Sequence, residues 1–397
     1  MTSDLSQLGF LLFVSALVAM LTRRVHLPYT VGLVLAGMAL HFGHFAIKWH
    51  LSKDLIFYVF LPPLVFEAAL FIHWREFKKQ LPVVTLLASV GVVLAAAVTA
   101  LGMHFALSWD WGSAVVFGTL IAATDPVSVI AAFKESNAQG RLRMLIESES
   151  LLNDGTAAVA FVAVLGVLAG GHATVLSVSA ALFVTILGGV LIGGTVAYVF
   201  MLLAGRTPDY LVEITFTTLA AYGSFFVAEH YHCSGVLAAL TAGLVVGNFR
   251  SSGSISAAGR HALAPFWEYI AFVANSIIFL LIGSQEAQQD FHGLWAPVLV
   301  AVALVTLGRA VAIYPLCAVF NRSPLEVPIR QQHILFWGGL RGALALALAL
   351  SLPEDLPRHD VIIVMTFAVV AFSVFAQGLT MTPMLRRLGQ LRVTSGK

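Results

Sequence analysis

The chain is apolar almost from end to end. Long hydrophobic segments are separated only by prolines, glycines and short charged connections, and the longest polar stretch, Lys134 to Arg143, is about ten residues. Only 11% of the 397 residues are charged and 59% are hydrophobic, whereas a water-facing domain usually carries about 25% charged residues. Segments of this kind suit a hydrocarbon layer about 30 Å thick, which a helix crosses in about 20 residues. The fold class is therefore an all-α integral membrane protein of about thirteen transmembrane helices. The spans fall near 5–22, 28–43, 53–73, 80–107, 112–133, 144–170, 174–203, 209–230, 234–249, 264–285, 294–320, 331–352 and 360–384.

The basic residues give an independent check, because cytoplasmic connections retain Lys and Arg. With the N-terminus outside, the inner connections and the C-terminal tail hold seventeen of the 22 basic residues, from Arg23 and Arg24 through Arg141 and Arg143 to Arg386, Arg387, Arg392 and Lys397. The outer connections hold Lys48, Lys53 and Arg358, and only Arg309 and Arg341 lie within spans. This division predicts an odd number of crossings, N-terminus out and C-terminus in.

Several classes drop out. A net charge of +2 with no long basic run offers nucleic acid no electrostatic footprint. Cys233 and Cys317 both sit in apolar stretches, spaced for neither zinc nor an iron–sulfur cluster, and the thirteen histidines make no metal pair beside a carboxylate. The segment Leu5 to Leu21 lacks a preceding basic region and a small-residue cleavage site, so it reads as a retained span.

Two spans are interrupted. The fifth breaks at Thr124-Asp125-Pro126 and the twelfth at Gly338-Gly339-Leu340-Arg341-Gly342. Spans an odd number apart run in opposite directions, so the breaks belong to antiparallel helices, as in an inverted repeat of about six helices joined by the seventh. Pro126 gives no N–H and disfavours helix at Asp125, so carbonyls near Ala122 and Ala123 lose their partners. Freed backbone at membrane depth needs protein or a wet cavity to satisfy it. Carbonyls, the Thr124 hydroxyl and a carboxylate are oxygen ligands suited to a hard cation.

Ionisable side chains at bilayer depth are costly and mark candidate sites. They are Glu67, Asp125, Glu149, Asp154, Arg309 and Arg341, with Glu213, Glu229 and Glu268 nearer helix ends. On the sixth span Ser150, Asn153, Asp154 and Ala157 share one face, and Glu149 points aside to where an arginine from another helix could meet it. Asp154 lies about ten residues, or about 15 Å, past the start of its span, close to the bilayer midplane. An Asp-Pro alone would be a kink. Paired with Asn153-Asp154 at similar depth and a second helix break, it points to ion transport. Arg341 reads as a structural counter-charge for Glu149, Arg309 as a tie for a helix terminus or carboxylate, and Glu67 as either a rim to the inner mouth or a structural group.

These pieces resemble a known family, the cation:proton antiporters of the NhaP and eukaryotic sodium/proton exchanger branch. The resemblance rests on Leu61-Pro62-Pro63 with Phe66-Glu67, Ala123-Thr124-Asp125-Pro126-Val127, Glu149 through Thr156, Arg309 and Gly338 through Gly342, in family order over essentially the whole chain. It implies a homodimer of thirteen-helix protomers with inverted six-helix repeats and two unwound crossing helices. The implied dimerisation domain comprises 1–79 and 206–290, the ion-binding core 80–172 and 291–397 with a short cytoplasmic tail, and 173–205 the linker helix. Asp154 would take cation and proton in turn, with Asp125, Ser150, Thr124, Glu67 and Asn153 completing the ion site. Asn153 stands where electrogenic relatives carry a second Asp, which implies electroneutral exchange. Glu149 and Arg341 match that branch's buried ion pair. Only about fifteen residues follow the last span, too few for the long regulatory tail of the animal exchangers.

The function expected is secondary active exchange of Na+ for H+ across a cell inner membrane, with Li+ and K+ left open, no organic cofactor and no enzymatic step. A bare buried carboxylate is costly and either ion neutralises it, so the two compete for one site and alternating access couples their flows. A passive cation channel is the nearer alternative, which proton-driven uphill sodium movement would exclude. An intramembrane aspartyl protease also needs two membrane carboxylates, and would show itself by peptide cleavage.

Overall fold

A computed structural model describes residues 2–25, 27–43, 49, 51–125, 127, 129–130, 133, 140–170, 175–249, 255–291 and 293–390. The described residues are overwhelmingly helical, with a single isolated β-bridge between Asp125 and Leu340. Eight helices are long and apolar enough to cross a membrane and four more apolar helices are shorter, so the chain is a multi-pass membrane protein. Pro126 lies outside the described residues, as do Lys48, Lys134, Arg250, Arg392 and Lys397 of the sidedness reading.

In chain order the helices are α1 (Thr2–Val25), α2 (Tyr29–Phe42), α3 (Leu55–Leu70), α4 (Trp74–Leu107), α5 (Trp111–Leu120), α6 (Arg141–Leu168) and α7 (Val175–Ala204). They continue as α8 (Tyr210–His230), α9 (Gly235–Phe249), α10 (Ala257–Glu286), α11 (Trp295–Ala318), α12 (Ile329–Trp337), α13 (Ala343–Ala349) and α14 (His359–Arg387). Three of them carry a wider, π-helical turn: Leu55–Phe60 in α3, Leu87–Gly91 in α4 and Ser373–Gln377 in α14. In α3 the wide turn precedes Pro62 and Pro63, which occupy the first positions of the following α-helical segment, where their missing N–H groups cost least.

Two helices begin well before the sequence expectation: α10 starts at Ala257 and not near residue 264, and α4 is the other. The fourth helix begins at Trp74 and not near residue 80, because the Trp74–Gln80 turns are amphipathic: Phe77 and Gln80 are buried while Arg75, Lys78 and Lys79 face outward.

The helices pack in two neighbourhoods. In one, α4 lies along α5 and α11, and α6 packs against α4 and α5. In the other, α2 lies along α10, α9 along both α3 and α7, and α8 along α7 and α9. The largest buried apolar cluster runs through α4, α5, α6, α11 and the α12–α14 segment. A second joins α1, α2, α3 and α10 to α13 and α14, and so forms a seam between the neighbourhoods.

At the ends of α5 and α14 the connections are clipped together. Asp110 caps α5 by accepting from the Ser113 N–H at 2.8 Å, Ser113 Oγ donates to the Pro357 carbonyl at 2.7 Å, and the Arg358 guanidinium sits 5.6 Å over the Trp109 ring.

Candidate ion-binding site

The two helix breaks meet. α5 ends at Leu120 and α12 at Trp337, and across the unwound segments the Asp125 N–H donates to the Leu340 carbonyl at 2.7 Å in an antiparallel bridge. A broken helix strands carbonyls, and each must find a donor when no water is at hand. Arg341 Nη1 supplies two of them, donating to Ala122 O at 2.7 Å and Ala123 O at 2.8 Å. Ser150 Oγ of α6 donates to Thr124 O. Arg341 is 2% exposed, so the charge of one break is spent on the backbone of the other.

This corrects the expected ion pair. Glu149 is held by Arg309 of α11, not by Arg341: Nη1 donates to Oε1 at 2.7 Å and Nη2 to Oε2 at 3.0 Å. The physical reason is that the stranded carbonyls of Ala122 and Ala123 already occupy Arg341, while Arg309 approaches from α11 with the planar fork that matches a carboxylate. Arg309 Nη2 also donates to Leu335 O at 2.9 Å, capping the end of α12. A Cβ at position 339 would overlap the Arg309 guanidinium, so Gly339 is what lets that side chain pass the second break.

Asn153 extends the network towards the first break. Its Nδ2 donates to Glu149 Oε1 at 3.1 Å and to Thr124 Oγ1 at 2.6 Å, and its Oδ1 accepts from the Thr124 N–H at 3.1 Å. Arg309, Glu149, Asn153 and Thr124 thus form one buried chain of bonds, in which Asn153 serves as a clamp. It is fully buried and is not on the wall of the cavity described next, so it stands apart from the group in which the sequence placed it.

A cavity of about 410 Å³ ends at the crossing. Thr124, Asp125, Ser150, Asp154 and Glu67 all lie on its wall, together with Gly342 at the start of α13. Asp154 and Asp125 are half-buried, and Asp154 Oδ1 has no hydrogen-bond partner among the described residues. Asp125 Oδ1 accepts from the Val127 N–H at 2.9 Å, an Asx turn that fixes the carboxylate beside its own break. A Cβ at Gly342 would overlap the Asp125 side chain, so only glycine admits this approach. The far part of the cavity is lined by Arg23, Glu147, Glu268 and Asn275, and by Tyr29, whose hydroxyl bonds Ser276 Oγ at 2.7 Å while its ring stacks on Phe272 at 5.4 Å. Glu147 accepts from Arg143 Nε at 2.8 Å. Chemically the cavity floor is a set of oxygen atoms with two carboxylates, suited to a hard monovalent cation or a proton.

The sequence profile of the transmembrane sodium/hydrogen exchangers matches residues 10–387. The chain belongs to the sodium/hydrogen exchanger family. Within that family it is 39% identical over 400 residues to the low-affinity Na(+)/H(+) antiporter NhaS1 of Synechocystis sp., covering 97% of this chain and 75% of that one. It is 36% identical to the Na(+)/H(+) antiporter NhaP of Pseudomonas aeruginosa, over 83% of this chain and 80% of that one. The fold is that of the sodium proton antiporter MjNhaP1 of Methanocaldococcus jannaschii, with a TM-score of 0.76 at 17% identity over 98% of this chain and 99% of that one. As a sodium/hydrogen exchanger family member the chain is a transporter and not an enzyme, and ions are its substrates and not its cofactors.

Some of the exchanger's polar architecture has no signal in the sequence. Arg141 reads there only as a connection charge, yet its Nε donates to Gln80 Oε1 at 2.9 Å, its Nη1 to Glu326 O at 2.8 Å and its Nη2 to Leu325 O at 2.6 Å, tying α4, α6 and the approach to α12 together. The Tyr29–Ser276 pair is equally silent, since a lone tyrosine after a proline and a lone serine carry no spacing.

Proposed function

We propose that the protein exchanges Na+ for H+ by alternating access, with both ions competing for Asp154. The observation that carries this reading is the half-buried Asp154, its Oδ1 unpartnered, on the floor of a cavity that ends where two broken helices cross. A carboxylate so placed is stabilised by a proton or by a cation, and the two exclude each other. The charged, empty site is costly to carry through an apolar seam, whereas either neutralised form moves at lower cost, so the two flows are coupled.

Asp125, Ser150 and Thr124 supply further oxygen ligands, and Glu67 stands on the wall above them. Exchange is electroneutral in this reading, because Asn153 beside Asp154 cannot ionise. The family resemblance supports a homodimer of the cell inner membrane with the N-terminus outside, in which residues 80–172 and 291–397 move against 1–79 and 206–290. Li+ and K+ share the charge and ligand preference of Na+ and are the natural competitors.

The test is Asp154→Asn in proteoliposomes carrying a pH-sensitive dye. A sodium gradient should dissipate the pH gradient with wild-type protein and leave it untouched with the variant, while both unfold at similar temperatures. Undiminished exchange by Asp154→Asn would reject the assignment, and proton-independent sodium flux through the wild type would favour the passive channel.

A further inference from the structure

We propose that Glu286 is the cation-collecting carboxylate of a second mouth to the ion pathway, at the end of α10 opposite the open cavity. The inference rests on the exchange reading above and deepens it.

Glu268, Phe272 and Asn275 of α10 line the open cavity. Eighteen residues at about 100° each bring a helix round five full turns, so Glu286 shares the azimuth of Glu268 and lies about 27 Å further along the axis. That spacing is close to the full depth of a hydrocarbon core, about 30 Å. Between the two carboxylates the same face presents Phe279 and Ile282, 3% and 0% exposed, in the apolar cluster that holds Leu346 of α13 and Phe367 of α14. One helix face therefore carries a carboxylate in an open cavity, an apolar plug and a second carboxylate.

Among the described residues nothing occupies Glu286. It is 5% exposed, and its Oε1 has no hydrogen-bond partner among them. The other buried glutamates each have an evident one: Glu149 takes Arg309, and Glu213 accepts from both the N–H and the Oγ of Ser256 at 2.9 Å. Its neighbour Gln285 does not serve it, since the Gln285 Nε2 donates to Leu51 O at 3.3 Å. A buried carboxylate with an idle oxygen is costly to the folded state shown. The cost is repaid when the seam between α10 and the α13–α14 segment parts, because the same motion that wets the seam gives Glu286 water and a hydrated alkali cation. At that stage its charge raises the local cation concentration beside the plug, as the charge of Glu268 would at the open cavity.

The experiment measures sodium dependence from each face separately, in membrane vesicles of opposite orientation containing the full-length protein. Glu286→Gln should raise the apparent KM for Na+ about fivefold on the face of Glu286 and leave the opposite face unchanged, the size expected of one carboxylate at a hydrated mouth. Glu286→Asp should restore the wild-type value, and Glu268→Gln should give the mirror-image result. Equal KM on both faces in Glu286→Gln, or a lowered unfolding temperature with unchanged KM, would overturn the inference while leaving wild-type exchange intact. Should Glu286→Gln not fold, Glu286→Met, an uncharged side chain of similar length suited to the apolar seam, takes its place: a KM raised on its face alone supports the inference, and a KM unaltered or raised on both faces overturns it. An absence of exchange in the wild type would instead remove the reading on which it rests.

Discussion

Arg309 grips Glu149 with both arms of its guanidinium, at 2.7 and 3.0 Å, across two helices 160 residues apart in sequence. Both partners are buried, so the pair's energetic weight lies in what happens when one is removed: a lone charge is left where no water can reach it.

Arg309→Gln or Glu149→Gln should therefore each destabilise the protein by about 3–5 kcal/mol. The double substitution should be milder than the sum of the two. Thermal unfolding in detergent of the two single variants and the double variant completes the cycle, and additive losses would show that the two side chains act separately.

Arg341 has a different task, and a different prediction. Arg341→Met leaves the carbonyls of Ala122 and Ala123 without donors, at about 1–3 kcal/mol each. Glu149 keeps its partner in this variant. Unfolding temperature should fall, while the additional replacement Glu149→Gln should destabilise further and not rescue. A rescue would place Glu149 and Arg341 in contact after all.

Asn153→Asp tests the clamp. Aspartate loses the donor that Asn153 gives to Glu149 Oε1 and sets a second negative charge 3.1 Å from it. The variant should lose stability and exchange, without gaining a steady current on a solid-supported bilayer. A sustained current from a well-folded Asn153→Asp protein would mean that position 153 has access to the ion path.

Gly342→Ala places a methyl group against Asp125. Exchange should fall at least tenfold with the helices intact, as circular dichroism would report, because the carboxylate is pushed from the cavity floor by an ångström or more. Unchanged exchange would show that Asp125 is free to retreat without cost.

The clip at Asp110 gives a pH dependence. Partial burial pushes this carboxyl up, but the bonds from Ser113 and the Arg358 guanidinium outweigh it and hold it below its ordinary range. A folded-state value below the unfolded one means stability that is present above about pH 4 and lost as pH falls through the lower value. Asp110→Ala should cost about 1 kcal/mol at neutral pH, as loss of a helix cap does, and the difference from wild type should vanish under strongly acid conditions.

The apolar segments and the two breaks were legible in the sequence because membrane depth forbids unpaired backbone, so Thr124-Asp125-Pro126 and the glycine-rich run at 338–342 stand out against their surroundings. Asp154 and Asp125 were legible for the same reason, as charges where charges are costly. The partner of Glu149 was not. Two buried arginines were available, and the choice depended on which stranded carbonyls lay within reach of which guanidinium, a matter of three-dimensional approach at Gly339 that no spacing records. Asn153 shares a helical face with Asp154, but face alone does not say that its amide is already taken on both sides. The start of α4 at Trp74 was missed because polar residues hide an amphipathic turn from any scan for apolar length.

The bridge between Asp125 and Leu340 uses main-chain atoms only. Leu340 contributes a carbonyl that every amino acid possesses, so the rivet joining the two half-helices is indifferent to side-chain chemistry at that position. Swapping Leu340 for other aliphatic residues would alter packing without loosening the fastening, and an alanine scan across the crossing would pass over this joint without registering it.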